Sequence, residues 1–205
     1  MAKIKLTKGE LKKQRDSLKQ FRRYLPTLQL KKQQLQMKIL EARRHLSSRQ
    51  QALNGLIEDI QCWYGLLADE TVNVKELLAP KELNISMANI AGANVPIFED
   101  LTFEDFKIDY YAMPLWVDNG ITALRNMVKL LAEVETIRTQ IHILEKELRT
   151  TTQRVNLFEK VKIPEGQENI RKIGIYLGDQ MANAVGVSKV AKKKVEQKNL
   201  VEVLV

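Results

Sequence analysis

Two long seven-residue apolar repeats constrain this chain more than any other feature. In the first, one slot holds Leu25, Ile39, Leu46, Leu53, Ile60 and Leu67, and its companion holds Leu28, Leu35, Ala42, Leu56 and Trp63. In the second, Met127, Val134, Ile141, Leu148 and Val155 share one slot, and Ala123, Leu130, Ile137, Leu144 and Phe158 the other. Alternating steps of three and four put each set on one narrow helical stripe, the pattern of a left-handed coiled coil. Lys32, Arg49 and Thr151 interrupt the stripes, as register-setting polar residues do in coiled coils.

The first helix is expected to start at Thr7, where Thr7 and Glu10 have the spacing of a capping box. It should run through residues 7–68, bending at Pro26, and would be roughly 90 Å long. The second is expected over residues 115–195, opening near Pro114 or Asp118, kinking near Pro164 and ending near Lys194, with 196–205 as a tail. Between them the helical period is lost. Leu83, Ile85 and Met87 alternate with polar or small residues, Ala91-Gly92-Ala93-Asn94 is turn-prone, and Val95 and Ile97 resume the alternation. Residues 69–114 therefore read as a β-hairpin and an irregular foot, with Pro96 placing the second strand on an exposed edge or lying just past the paired region. The predicted fold is mainly α: a long antiparallel two-helix coiled coil with a short β-hairpin insert at the pole opposite the termini, contributing no seam residue. The longer second helix should project beyond the first as an unpaired tip.

Composition suits such a chain. Aromatic residues make up 6% and charged residues 28% of 205, better matched to long solvated helices than to a thick core. The formal charge of +8 implies an acidic partner surface, a nucleic acid or an anionic membrane. With Cys62 as the only cysteine, an internal disulfide is excluded and a reducing cytoplasm is the default. No segment approaches the roughly 20 apolar residues of a membrane span, so direct membrane insertion is not expected.

Chemistry-bearing motifs are few. There is no GxxxxGK[ST] phosphate loop, and His45 and His142 lie on different helices without metal-ligand spacing. Glu99, Asp100, Glu104 and Asp105 fall in an expected loop without the defined positions of a calcium loop, and read as a solvated or partner-facing patch. Neither a catalytic residue nor a cofactor or metal ligand is assigned. Lys8 and Lys12 at one end, with Lys189 and Lys193 at the other, are candidate partner contacts. Gly174, Gly178, Ala182 and Gly186 recur at four-residue spacing, so that Gly178 marks either a close approach to a partner helix or surrounding subunits, or a weak, partly unwound tail.

Three runs carry a resemblance: Arg22-Arg23-Tyr24-Leu25-Pro26-Thr27-Leu28-Gln29-Leu30-Lys31-Lys32-Gln33-Gln34-Leu35-Gln36, Asn89-Ile90-Ala91-Gly92-Ala93-Asn94-Val95-Pro96, and Arg154-Val155-Asn156-Leu157-Phe158-Glu159-Lys160-Val161-Lys162-Ile163-Pro164. In this order they resemble the D subunit of V-type (archaeal/vacuolar-type) ATPases. The resemblance implies a non-catalytic rotor shaft in the central stalk. Its expected partners are the catalytic and regulatory nucleotide-binding subunits of the V-type ring, a small F subunit, and the C (d-type) subunit of the membrane rotor. Leu25, Leu28, Leu35, Ile39, Leu46, Leu53, Ile60, Val134, Ile141, Leu148 and Val155 would then hold the shaft together, and Lys8, Lys12, Gly178, Lys189 and Lys193 would face partners. It implies a cytoplasmic location, peripheral to the membrane. The residues by themselves also allow a basic coiled-coil scaffold and, with lysines not interleaved with aromatics, less readily a nucleic-acid-binding hairpin.

Overall fold

The computed structural model describes residues 5–68, 74–104 and 114–203. The chain is mainly α-helical with one β-hairpin: helix α1 (Lys8–Gln61), a 3-10 turn (Tyr64–Ala68), a short helix α2 (Val74–Leu77), strands β1 (Pro80–Ile90) and β2 (Ala93–Phe103), helix α3 (Val117–Asn156), a π-helical turn (Leu157–Lys162) and helix α4 (Ile163–Val203). These fall into two compact units, residues 30–152 and residues 1–29 with 153–205.

In the unit of residues 30–152, α1 and α3 pair antiparallel: Lys31 Nζ lies 2.7 Å from Glu147 Oε1, and Arg49 Nε lies 2.9 Å from Glu133 Oε1, so position rises on one helix as it falls on the other. Leu35, Ile39, Leu53 and Ile60 on α1, and Val134, Ile137, Ile141 and Leu144 on α3, are buried, while Leu46 and Leu148 are half-buried. The three-four spacing thus selects the residues that leave water. Arg49 sits half-buried in a seam slot, its Nε close to Glu133 but not aligned for a hydrogen bond.

The hairpin is where expectation and structure part. β1 and β2 pair antiparallel around the two-residue turn Ala91-Gly92, both at positive φ (51° and 82°). Glycine accepts that conformation freely, whereas Ala91 pays a steric cost and is held there by packing. Asn89 Oδ1 accepts the Gly92 N–H at 3.0 Å, and Asn89 Nδ2 donates to Asn94 Oδ1 at 2.8 Å, which closes the turn. The hairpin does not stand clear at a pole. Ala93 and Val95 are buried in one cluster with Leu35, Ile39 and Leu144, so the hairpin tip packs against the helix pair of this unit and completes its core there. The alternation along β2 buries one face, and a second helix pair or sheet is not needed to cover it because the seam itself is the other wall. Glu99 and Asp100 lie in β2 rather than in a loop, at a register break between Asn84 and Ile85; Asp105 falls outside the described residues.

At the base of this unit Trp63 packs on Trp116 with ring centroids 6.5 Å apart, and Leu77, Val117 and Ile121 form a second buried cluster. Gly120 is buried beneath both tryptophans: a Cβ there would lie 2.9 Å from Trp116 Cε3.

In the unit of residues 1–29 and 153–205, α1 begins at Lys8, with Thr7 Oγ1 accepting the Glu10 N–H at 3.3 Å. The reciprocal half of the capping box is replaced by Glu10 accepting from Gln14 Nε2. Helix α1 passes through Pro26 as one element. Phe21 stacks on Phe158 with centroids 5.2 Å apart, and Gly166 faces Leu18, an antiparallel pairing again. Leu25 and Leu28 are half-buried and Val155 is buried.

The irregularity expected at Pro164 lies just before it. The Ile163 N–H donates to Phe158 O, five residues back, so the helix holds one extra residue. Pro164 has no N–H to donate to Lys160 and its ring would clash with that carbonyl in a regular α-helix; the wider turn relieves both. The consequence is a phase jump. The buried and half-buried stripe runs Val155 and Phe158, then steps by five to Ile163 and continues through Gly166, Ile170, Ile173 and Leu177. Helix α4 also extends to Val203, past the end expected near Lys194 and through most of the expected tail, because after Gly186 no glycine or proline interrupts it.

Candidate partner-binding surfaces

Charge is segregated between the units. Residues 1–29 and 153–205 hold nineteen lysines and arginines against eight acidic residues, a formal +11, whereas residues 30–152 hold fourteen against seventeen, a formal −3. The basic excess of the whole chain therefore belongs to the unit carrying the termini. Lys8, Lys12, Lys189 and Lys193 are all exposed there, and Lys8 lines a groove with Leu177, Gln180, Met181 and Ala184. Helix-internal pairs satisfy part of the charge: Glu168 accepts from Lys172 at 2.7 Å, which, with the charges of Lys172 and Arg171, holds its carboxyl below the usual value.

From Gly178 to residue 197 every residue of α4 is exposed. The segment is nevertheless rich in apolar side chains, with Met181, Val185, Val187, Val190 and Val195 each 54–70% exposed. At 3.6 residues per turn these do not share a stripe: Met181 and Val185 lie on one side, and Val187 and Val190 across the axis. A Cβ at Gly174, Gly178 or Gly186 would meet nothing within 4 Å, so no helix among the described residues approaches the small-residue ridge, and the segment is helical rather than unwound. Of the two expectations for Gly178, close approach to a partner helix of this chain finds no support among the described residues, and close approach by surrounding subunits is left open.

In the other unit, three ties made by basic side chains, two to carboxylates and one to backbone carbonyls, were invisible in the sequence because they join residues distant along it. Lys129 Nζ binds Asp100 Oδ1 at 2.9 Å, fastening β2 to α3. That bond, then the Leu101 N–H and the lysine charge, holds the Asp100 carboxyl below its ordinary range. Arg125 donates from Nε and Nη2 to Leu77 O at 3.2 and 3.1 Å and from Nη2 to Glu104 O at 3.0 Å, with its guanidinium over Phe103. Arg43 Nη2 lies 2.6 Å from Glu145 Oε1 across the helix pair. His142 is exposed, and His45 is exposed 4.0 Å from Glu133. Trp63 is half-buried in its seam slot, while Tyr64, Leu66 and Leu115 leave an apolar surface at the base.

Among the described residues no group of three or more His, Cys, Asp or Glu side chains is placed to hold a metal ion, and no helix is long and apolar enough to cross a membrane. What the surfaces offer is macromolecular contact: a basic end, an exposed helix with apolar side chains on opposite sides, and an apolar base.

Comparison with known proteins gives a consistent result. Residues 10–193 match the family model for the D subunit of ATP synthase. The D subunit of the V-type ATP synthase of Borreliella burgdorferi is 45% identical over 199 residues, covering 97% of this chain and 98% of that protein. The proteins of the same name from Chlamydia felis and Chlamydia pneumoniae are each 34% identical, over 200 and 197 residues, covering 95% and 94% of this chain.

Proposed function

The chain belongs to the family of V-type ATP synthase D subunits, and from that membership we propose that it is the rotor shaft of the central stalk, coupling ion flow through a membrane rotor ring to ATP synthesis or hydrolysis in a ring of nucleotide-binding subunits. The observation that carries the reading is α4 beyond Gly178: exposed in this chain, apolar on opposite sides, and set in the unit with a formal +11. Such a helix fits the bore of a surrounding sleeve, with apolar side chains packing against its wall and lysines answering acidic or polar groups.

On this reading the chain is non-catalytic. The packed antiparallel seam resists bending and twisting, because sliding one helix past the other would unseat Leu35, Ile39, Val134, Ile141 and Leu144 together. An asymmetric shaft turning inside the ring presents different faces to successive catalytic interfaces, and drives them through different conformations. The catalytic and regulatory nucleotide-binding subunits contact the tip, including Lys8, Lys12, Gly178, Lys189 and Lys193; a small F subunit pairs with the shaft below; and the C (d-type) subunit of the membrane rotor takes the base around Tyr64, Leu66 and Leu115. The complex is peripheral to the membrane on the cytoplasmic side, with this chain held there through its partners.

Affinity capture of the tagged chain from native membranes tests the proposal. Nucleotide-binding ring subunits should be recovered in fixed stoichiometry, and recovery should not depend on nucleic acid. Their absence, or replacement by copies of the chain itself, would favour the scaffold reading.

A further inference from the structure

The β-hairpin is joined to the helix pair at both ends of its length. Its tip buries Val95 completely and Ala93 almost so, against Leu35, Ile39 and Leu144. Beside the tip, Lys31 reaches across to Glu147 at 2.7 Å, and its Nζ lies 3.4 Å from where a Gly92 Cβ would stand, so one ion pair spans α1 and α3 directly against the turn. Farther along, Asp100 is tied to Lys129, and at the base Arg125 grips the carbonyl of Glu104 just after β2.

The place the tip covers is the poorest part of the α1 seam. From residue 32 to 49 the seam slots read Lys32, Leu35, Ile39, Ala42, Leu46 and Arg49, so half of them supply little or no apolar contact. Coiled-coil register is fixed by such contacts, and a stretch with few of them tolerates a slip toward an alternative pairing. Yet Leu35 and Leu144 are fully buried, whereas Leu46, outside the cluster the hairpin joins, is only half so. At Leu35 and Leu144 the hairpin's Ala93 and Val95 close the open side of the seam.

We infer that the hairpin is a clasp that fixes the axial register of α1 against α3, supplying across the Lys32–Ala42 stretch the apolar packing that the two helices lack. Its outer face, with Ile85 and Met87 exposed, takes no part in this. The inference concerns the chain alone and stands or falls independently of the rotor reading.

Spin labels at Met37→Cys and His142→Cys, both exposed and on opposite helices, report the register by pulsed electron resonance in the full chain carrying Cys62→Ser. The clasped protein should give a single narrow distance. Val95→Asp, which puts a charge among Leu35, Ile39 and Leu144, should broaden it or add a population displaced by about one heptad, roughly 10 Å. Amide exchange over 35–42 and 141–148 should quicken by at least about tenfold while residues 117–124 keep their protection. Met87→Asp on the outer face should change neither. Should Val95→Asp fail to fold, Val95→Ala must show the same broadening in milder form. A narrow, unshifted distance with unchanged exchange in either Val95 variant overturns the clasp.

Discussion

Leu144→Ala is the sharpest probe of how the helix pair is held. Leu144 is fully buried among Leu35, Ile39, Ala93 and Val95, which, with Leu144 itself, bring together three different elements and leave it no route to solvent. Truncation removes three carbons, worth about 2.4 kcal/mol at roughly 0.8 kcal/mol per buried methylene. The void then adds a cavity cost, since α1 and β2 are each anchored by further contacts and cannot collapse fully, giving about 3–4 kcal/mol in all. Leu148, one turn on and only half-buried, should cost about 1–2 kcal/mol as alanine, and exposed His142 less than about 0.5 kcal/mol. If residues 30–152 unfold as one transition, with about 0.26 kcal/mol/K of unfolding entropy, Leu144→Ala should lower the melting temperature by roughly 10–15 °C. Thermal unfolding followed by circular dichroism at 222 nm reads all three. A Leu144→Ala protein that melts within about two degrees of His142→Ala would refute the register and the docking of the hairpin together.

Glycine substitutions should split by environment: Gly120→Ala, whose methyl would press on Trp116 at 2.9 Å, should destabilise by about 1–3 kcal/mol in chemical denaturation, while Gly174→Ala, with nothing within 4 Å, should stabilise its helix by up to about 1 kcal/mol. Asp100 should titrate below the ordinary carboxylate value of 3.8, and because its folded pKa is depressed, the Lys129 tie stabilises above that value and is lost as pH falls through the folded one; Lys129→Met should return the carbon-detected midpoint toward 3.8, and an unmoved midpoint would disprove the tie. The purified chain should neither bind nor hydrolyse ATP, as isothermal titration would show; an affinity in the micromolar range would contradict the non-catalytic assignment.

The seam was legible because a coiled coil writes its contacts directly into a three-four spacing, and the residues that spacing selects are the buried or half-buried ones from Leu25 to Ile60 and from Met127 to Phe158. The hairpin was legible too, since Ala91-Gly92 between two alternating runs permits the positive φ a tight turn needs. Its docking was not. Alternation says that β2 has one apolar face but not which surface covers it, and Val95 meets Leu35 and Leu144 across separations no local pattern spans. The phase jump at the π turn did leave a trace, in the five-residue step from Phe158 to Ile163, hidden because Pro164 drew the expected break to itself. The charge asymmetry was also present in the sequence, but a total of +8 conceals it until the contacts divide the chain into units. For the candidate surfaces, residue type marked the lysines as candidates, whereas the apolar residues on opposite sides of α4 stand out only because no other described element of the chain covers them.

The central claim is that this chain must turn within its ring for catalysis to proceed. With Cys62→Ser and Val187→Cys at the exposed tip, a disulfide to a cysteine placed on the facing wall of one nucleotide-binding partner would pin the shaft. The rotor account predicts that ATP turnover of the assembled complex stops on oxidation and returns in full on reduction; undiminished turnover in the fully cross-linked complex would contradict it.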